Sequence, residues 1–115
     1  MGKMQRNKGA RFERWLVHAF NEALPGKWKR GFQCRGGGEE VPDLDGPLLH
    51  IEAKHQIKPN IRSALAQATE DSADSGKLPV AITKENMCKP IVSMHLKDWL
   101  LMAQPYLEAN DGSID

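Results

Sequence analysis

One stretch narrows what this chain can become more than any other: Pro42-Asp43-Leu44-Asp45-Gly46-Pro47-Leu48-Leu49-His50-Ile51-Glu52-Ala53-Lys54. Strand side chains alternate faces, so the pattern from Leu49 predicts a strand with Leu49, Ile51 and Ala53 on an apolar face and His50, Glu52 and Lys54 on the other. Asp45-Gly46-Pro47 has the composition of a tight turn, and a hairpin there would return Asp43 to the side of Glu52. Two converging carboxylates make a hard-oxygen site suited to Mg²⁺. A lysine beside them can hold a water or a phosphate oxygen.

Around this stretch the chain alternates between two periodicities. Phe12, Trp15, Leu16, Ala19, Phe20 and Ala23 recur at helical spacing and predict an amphipathic helix over 8–23, stopped by Pro25-Gly26. Glu13 lies about 100° round from Phe12, at the edge of the buried stripe. There it either pairs with a surface cation or reaches under a sheet. Lys27 to Cys34 predicts a short strand in which Trp28 and Phe32 either interleave with basic residues on a nucleic-acid face or enter the core. Glu39-Glu40-Val41 begins the strand that delivers Asp43. After Lys58-Pro59 a second helix is expected over 60–72, burying Ile61, Ala64, Leu65 and Ala68. Strands follow over 78–83 and 91–95, with a loop carrying Lys84 and Lys89 between them. A last helix is expected from Leu96 to about Ala103, kinked or ended by Pro105. The order α-β-β-β-α-β-β-α predicts an α/β core, a central mixed β-sheet flanked by helices. The expected layout is a flexible basic segment over 1–7, a single domain over 8–108 and a polar tail over 109–115.

Charge is asymmetric although the 115-residue chain carries a net charge of only +1. Nine Lys/Arg face two Glu in residues 1–35, and seven face thirteen acidic residues in the rest. That split fits either a phosphate-binding face beside a carboxylate-rich site or a solvated basic tail. Lys8, Arg11, Arg30, Arg35 and Lys84 are the candidate DNA contacts. Arg35-Gly36-Gly37-Gly38 is a turn with no Walker-type lysine after it, so no nucleotide cofactor is expected. No apolar run approaches the roughly 18 residues of a membrane span. Two lone cysteines, Cys34 and Cys88, suggest a reduced cytoplasmic setting, and the four histidines fall in no zinc-ligand spacing.

Pro42-Asp43, eight intervening residues, then Glu52-Ala53-Lys54 resembles the signature of the PD-(D/E)XK nuclease superfamily. Ahead of it stand Lys8-Gly9-Ala10-Arg11-Phe12-Glu13-Arg14, then Gly31-Phe32, then Arg35-Gly36-Gly37. This order resembles the archaeal-type Holliday junction resolvases and their phage relatives, over roughly residues 8–70. The resemblance implies a restriction-endonuclease-like core and a Mg²⁺-dependent DNA endonuclease, with Mn²⁺ able to substitute. By the same resemblance, Asp43, Glu52 and the Ala53 carbonyl would ligate the metal, joined by Glu13. Lys54 would orient the attacking water, and Gln67 would lie near the active site. It further implies branched DNA as substrate, a homodimer, and a bacterial, archaeal or phage-infected host cell. Trp99, Leu101 or Met102 would supply either a dimer patch or more of the chain's own core. These resolvases often carry a serine after the Arg-Gly element, where this chain has Gly36-Gly37-Gly38, a departure that bears on junction selectivity. Other readings are a nuclease of the same superfamily acting on linear, nicked or single-stranded DNA, and a non-catalytic DNA-binding protein on the same fold.

Overall fold

The computed structural model describes residues 3–31 and 42–111, leaving aside the side chains of residues 4–6 and 111. In chain order the elements are α1 (Lys3–Ala23), β1 (Lys29–Arg30), β2 (Leu44–Asp45), β3 (Leu49–Gln56), α2 (Ile61–Asp71), β4 (Leu78–Glu85), β5 (Ile91–Ser93) and α3 (Leu96–Asp111). The expected α/β order is therefore the observed one. The five strands form one mixed sheet in the order β1-β2-β3-β4-β5. Only β3 and β4 run parallel, and α2 makes the crossover that a parallel pair requires.

The alternation of β3 decides what lies on each side. Ile51 and Ala53, with Val80 and Ile82 of β4, pack against Phe12 and Leu16 of α1. The opposite face carries His50, Glu52, Ala81 and Thr83, all buried, and lies under α2, which buries Ala64 and Ala68. Small residues at these two positions let the helix approach closely. Both faces of the central strands are thus covered, as in α/β sheets generally.

A second small core fixes the hairpin that carries Asp43. Trp28 is buried, with its ring edge-on to Phe20 at 5.0 Å between centroids. Its indole N–H donates to the Pro25 carbonyl at 3.1 Å, and the Asn21 side chain both donates to and accepts from its backbone at 2.8 Å. Gly46 lies against the indole so closely that a Cβ there would stand 2.0 Å from Trp28 Cε3. Trp28 is therefore a core residue and not a nucleic-acid contact.

Several boundaries differ from expectation. The segment over 1–7 was expected to be flexible, yet α1 already begins at Lys3. Lys, Met, Gln and Arg all propagate a helix once it is nucleated downstream. Trp15, expected in the buried stripe, is 56 % exposed and stacks on Phe12. Helix α2 starts one residue later than expected, at Ile61, with Asn60 as its N-cap, the side-chain oxygen accepting the Ser63 N–H at 2.9 Å. Lys84 belongs to β4 and not to the loop that follows. Helix α3 continues through Pro105 to Asp111. Proline removes a single backbone hydrogen bond there, and Leu, Met, Ala and Gln around it favour the helix. The strand expected at 27–34 is described only at Lys29–Arg30. Phe32, Cys34, Arg35, the triple glycine and 39–41 lie outside the described residues.

Candidate active site

Leu44 pairs with Ile51 and Asp45 with His50, which leaves Asp43 at the bend just ahead of β2 and alongside β3. The Asp43 N–H donates to the Ile51 carbonyl at 2.8 Å, and Asp43 Oδ2 accepts the Ala53 N–H at 2.8 Å. Asp43 is thereby bound to β3 by backbone and side chain together. Glu52 is only 3 % exposed.

Electrostatics ties the expected residues into one cluster. Burial, then the negative charge of Glu52, push the Asp43 carboxyl from its ordinary 3.8 up to about 7. Glu13 pushes it further the same way, while the Ala53 N–H and the Lys54 ammonium oppose the rise. Asp43 therefore feels the charges of Glu52, Glu13 and Lys54. Glu13 arrives from α1, and Arg30 Nε donates to its Oε1 at 3.0 Å. Arg30, named above as a candidate DNA contact, pairs here with Glu13 while its side chain stays partly exposed.

Carboxylate oxygens such as those of Asp43, Glu52 and Glu13 are hard donors of the kind divalent cations take, and burial is the first cause of the raised Asp43 carboxyl, ahead of its acidic neighbours. Nothing in the geometry joins Gln67 to these residues. That side chain is exposed on α2, and among the described contacts none links it to Asp43, Glu52 or Lys54.

What α2 does turn toward the sheet is Asp71, and sequence reasoning missed it. Ala64, Ala68 and Asp71 follow one another at i, i+4 and i+7, so the stripe that buries the two alanines carries a carboxylate at its end. Asp71, Glu52 and His50 each place a potential ligand atom within 4.8 Å of the others. His50 was visible as the residue two before Glu52 on the same face.

Basic side chains gather at the far end of β3. Lys84 pairs with His55 in the parallel register. Burial, then Lys84, Lys8 and Arg11, hold the His55 imidazole below its usual range, with a hydrogen bond to Asn86 opposing. Lys8 Nζ donates to Asn86 Oδ1 at 3.0 Å. Between them opens a groove of about 370 Å³ lined by Arg11, Phe12, Trp15, His55, Lys84 and Pro90. Arg11 and Lys84 thus line this groove with Lys8 beside it, Arg30 pairs with Glu13, and Arg35 lies outside the described residues.

The fold and site define an α/β domain with a carboxylate-lysine centre beside a basic, aromatic-lined groove. Comparisons with protein-family models, with curated proteins and with solved structures returned no match. Among the described residues no helix is long and apolar enough to cross a membrane.

Proposed function

We propose that this protein is a Mg²⁺-dependent DNA endonuclease of the PD-(D/E)XK type, selective for branched DNA and active as a homodimer. The observation that carries the reading is the Asp43 carboxyl, buried beside β3 and raised to about 7 first by that burial and then by the charges of Glu52 and Glu13, with the Lys54 ammonium opposing. Such crowding costs stability in a bare fold, and a bound cation offsets it. Asp43, Glu52, the Ala53 carbonyl and Glu13 would hold Mg²⁺, with Mn²⁺ able to replace it. Bound there, the ion supplies charge neutralisation and polarisation at the scissile phosphodiester.

The chain's own groups do the rest. The Ala53 N–H fixes Asp43 and Arg30 fixes Glu13, so the carboxylates are oriented before substrate arrives. Lys54 orients the attacking water and stabilises negative charge growing on the phosphate oxygens. As an ammonium it is a donor and not a base. Lys8, Arg11 and Lys84 seat neighbouring backbone phosphates, which fixes the duplex without reading its sequence.

Two cuts in a four-way junction call for two related centres, which a C2 dimer provides. Helix α3 supplies the surface. Leu96, Trp99, Leu100, Tyr106 and Leu107 fall within roughly 120° of helical arc, with Met102 flanking, and all six are 46–70 % exposed. At roughly 100 Å² per large apolar side chain, this one helix offers most of the about 800 Å² that each partner contributes to a standard interface. A second copy of α3 is the occupant we assign to it.

The test is cleavage of a labelled four-way junction beside a matched linear duplex, each with Mg²⁺, Ca²⁺ or EDTA, by wild type and Glu52→Ala. Paired cuts confined to the junction, to Mg²⁺ and to wild type are expected. Equal cutting of both substrates would leave a nuclease of another substrate class. Tight binding with no cutting under any condition would make this a non-catalytic DNA-binding protein, a reading that the basic groove by itself would also support.

A further inference from the structure

We propose that His50, Glu52 and Asp71 form a second, buried cation site that takes a divalent transition metal of the Zn²⁺ class and clamps α2 to β3. It shares Glu52 with the proposed nuclease centre, while its other two ligands, His50 and Asp71, are not among that centre's residues. His50 and Glu52 stand two apart on the β3 face that α2 covers, and they are 2 % and 3 % exposed. Asp71 comes down from the last turn of α2, and the three ligand atoms lie within 4.8 Å of one another.

Acidic residues gathered around a histidine often only solvate each other, but here they do not. His50 Nε2 and Asp71 Oδ2 are both buried with no hydrogen-bond partner. Nε2 stands 3.7 Å from Glu52 Oε1, too far for a hydrogen bond. Buried polar atoms left in this way call for a water or an ion. Two ligand atoms at that separation can both lie at about 2.1 Å from one ion, the Zn–N and Zn–O distance. An imidazole nitrogen among the donors selects zinc, manganese or their neighbours over magnesium or calcium, which prefer all-oxygen sets. Two carboxylates set against one dication also remove the cost of burying unpaired charge beneath a helix.

Uptake by the metal-free full chain tests the proposal without reference to cleavage. Zn²⁺ would be titrated calorimetrically into wild type, Asp43→Ala, His50→Gln and Asp71→Asn, after circular dichroism in EDTA has shown each to be folded. One tight Zn²⁺ per chain is expected for wild type and Asp43→Ala, with affinity at least tenfold weaker in the other two. Zn²⁺ should raise the melting temperature of the first pair only. In wild type alone, the His50 ring ¹⁵N resonances should shift on Zn²⁺ addition while those of His18, His55 and His95 stay in place, so the proposal remains testable if a variant fails to fold. Equal Zn²⁺ affinity in all four proteins, or unmoved His50 resonances, would overturn it and leave a buried water as the partner of these atoms. Zn²⁺ uptake by a protein that cuts no DNA would sink the nuclease reading and leave this one standing.

Discussion

Asp43 shows how much a single position depends on its neighbours. With a folded value of about 7 against an ordinary 3.8, the folded state binds more protons than the unfolded between these values. The contribution of Asp43 to metal-free stability should therefore be fully present below pH 4, fall as pH rises toward 7, and level off above it. Urea unfolding in EDTA at pH 5 and pH 8 measures the difference. Wild type should be weaker at pH 8, and Asp43→Asn should lose most of that dependence, because the amide oxygen can still accept the Ala53 N–H without the charge. Added Mg²⁺ should restore wild type at pH 8 and leave Asp43→Asn unmoved. Little of this environment is written in the residue itself. The Pro-Asp and Glu-X-Lys spacing picked out Asp43, Glu52 and Lys54, because strand alternation and turn chemistry are local rules. Gln67 is exposed on α2, whereas the stripe marked by Ala64 and Ala68 runs on to Asp71, a residue the strand and turn rules do not single out.

At the scale of elements, the β2-β3 hairpin is the part most sensitive to substitution. Leu48 adopts φ 67°, a left-handed conformation that costs an L-residue about 1 kcal/mol or more, and its side chain is 75 % exposed. Leu48→Gly should therefore raise stability by about 1 kcal/mol in denaturant unfolding, since little packing is lost. Gly46→Ala should act in the opposite sense. Its methyl would enter the Trp28 ring, and overpacking of this kind costs about 1–3 kcal/mol. A melting temperature unchanged by Gly46→Ala would mean that the hairpin is held by its strand pairing alone. Element order was legible from periodicity, while the ends were not. A helix stops where its cooperative gain stops, so α1 reaches back to Lys3 and α3 runs through Pro105, past the points where local punctuation suggested an end.

For the whole molecule the surfaces decide the outcome. Helix α3 keeps its apolar stripe exposed, so of the two readings its sequence allowed, the chain's own core is excluded. A Leu100→Glu, Leu107→Glu variant should elute as a monomer in light-scattering chromatography under conditions where wild type is a dimer, with its circular dichroism intact. A wild-type monomer at micromolar concentration would refute the α3 interface. Across the molecule, Arg11 from α1 and Lys84 from β4 line one groove, with Lys8 beside it at Asn86 and His55. Replacing all three by alanine should weaken DNA binding and reduce the slope of log K against log salt by about 2–3, since each duplex phosphate contact contributes about 0.9. An unchanged slope would show that phosphate is held elsewhere.

Short-range periodicity and turn chemistry were enough for the order of helices and strands and for the mixed α/β architecture. Only the tertiary structure decided what lies over each face of the sheet. It joined Arg30 to Glu13, brought Lys8 and Arg11 to Lys84, and set Asp71 over His50 and Glu52. It also left α3 without a cover. These are meetings between elements far apart in the chain, fixed by how helices pack on a twisted sheet, and no local spacing of residues encodes them.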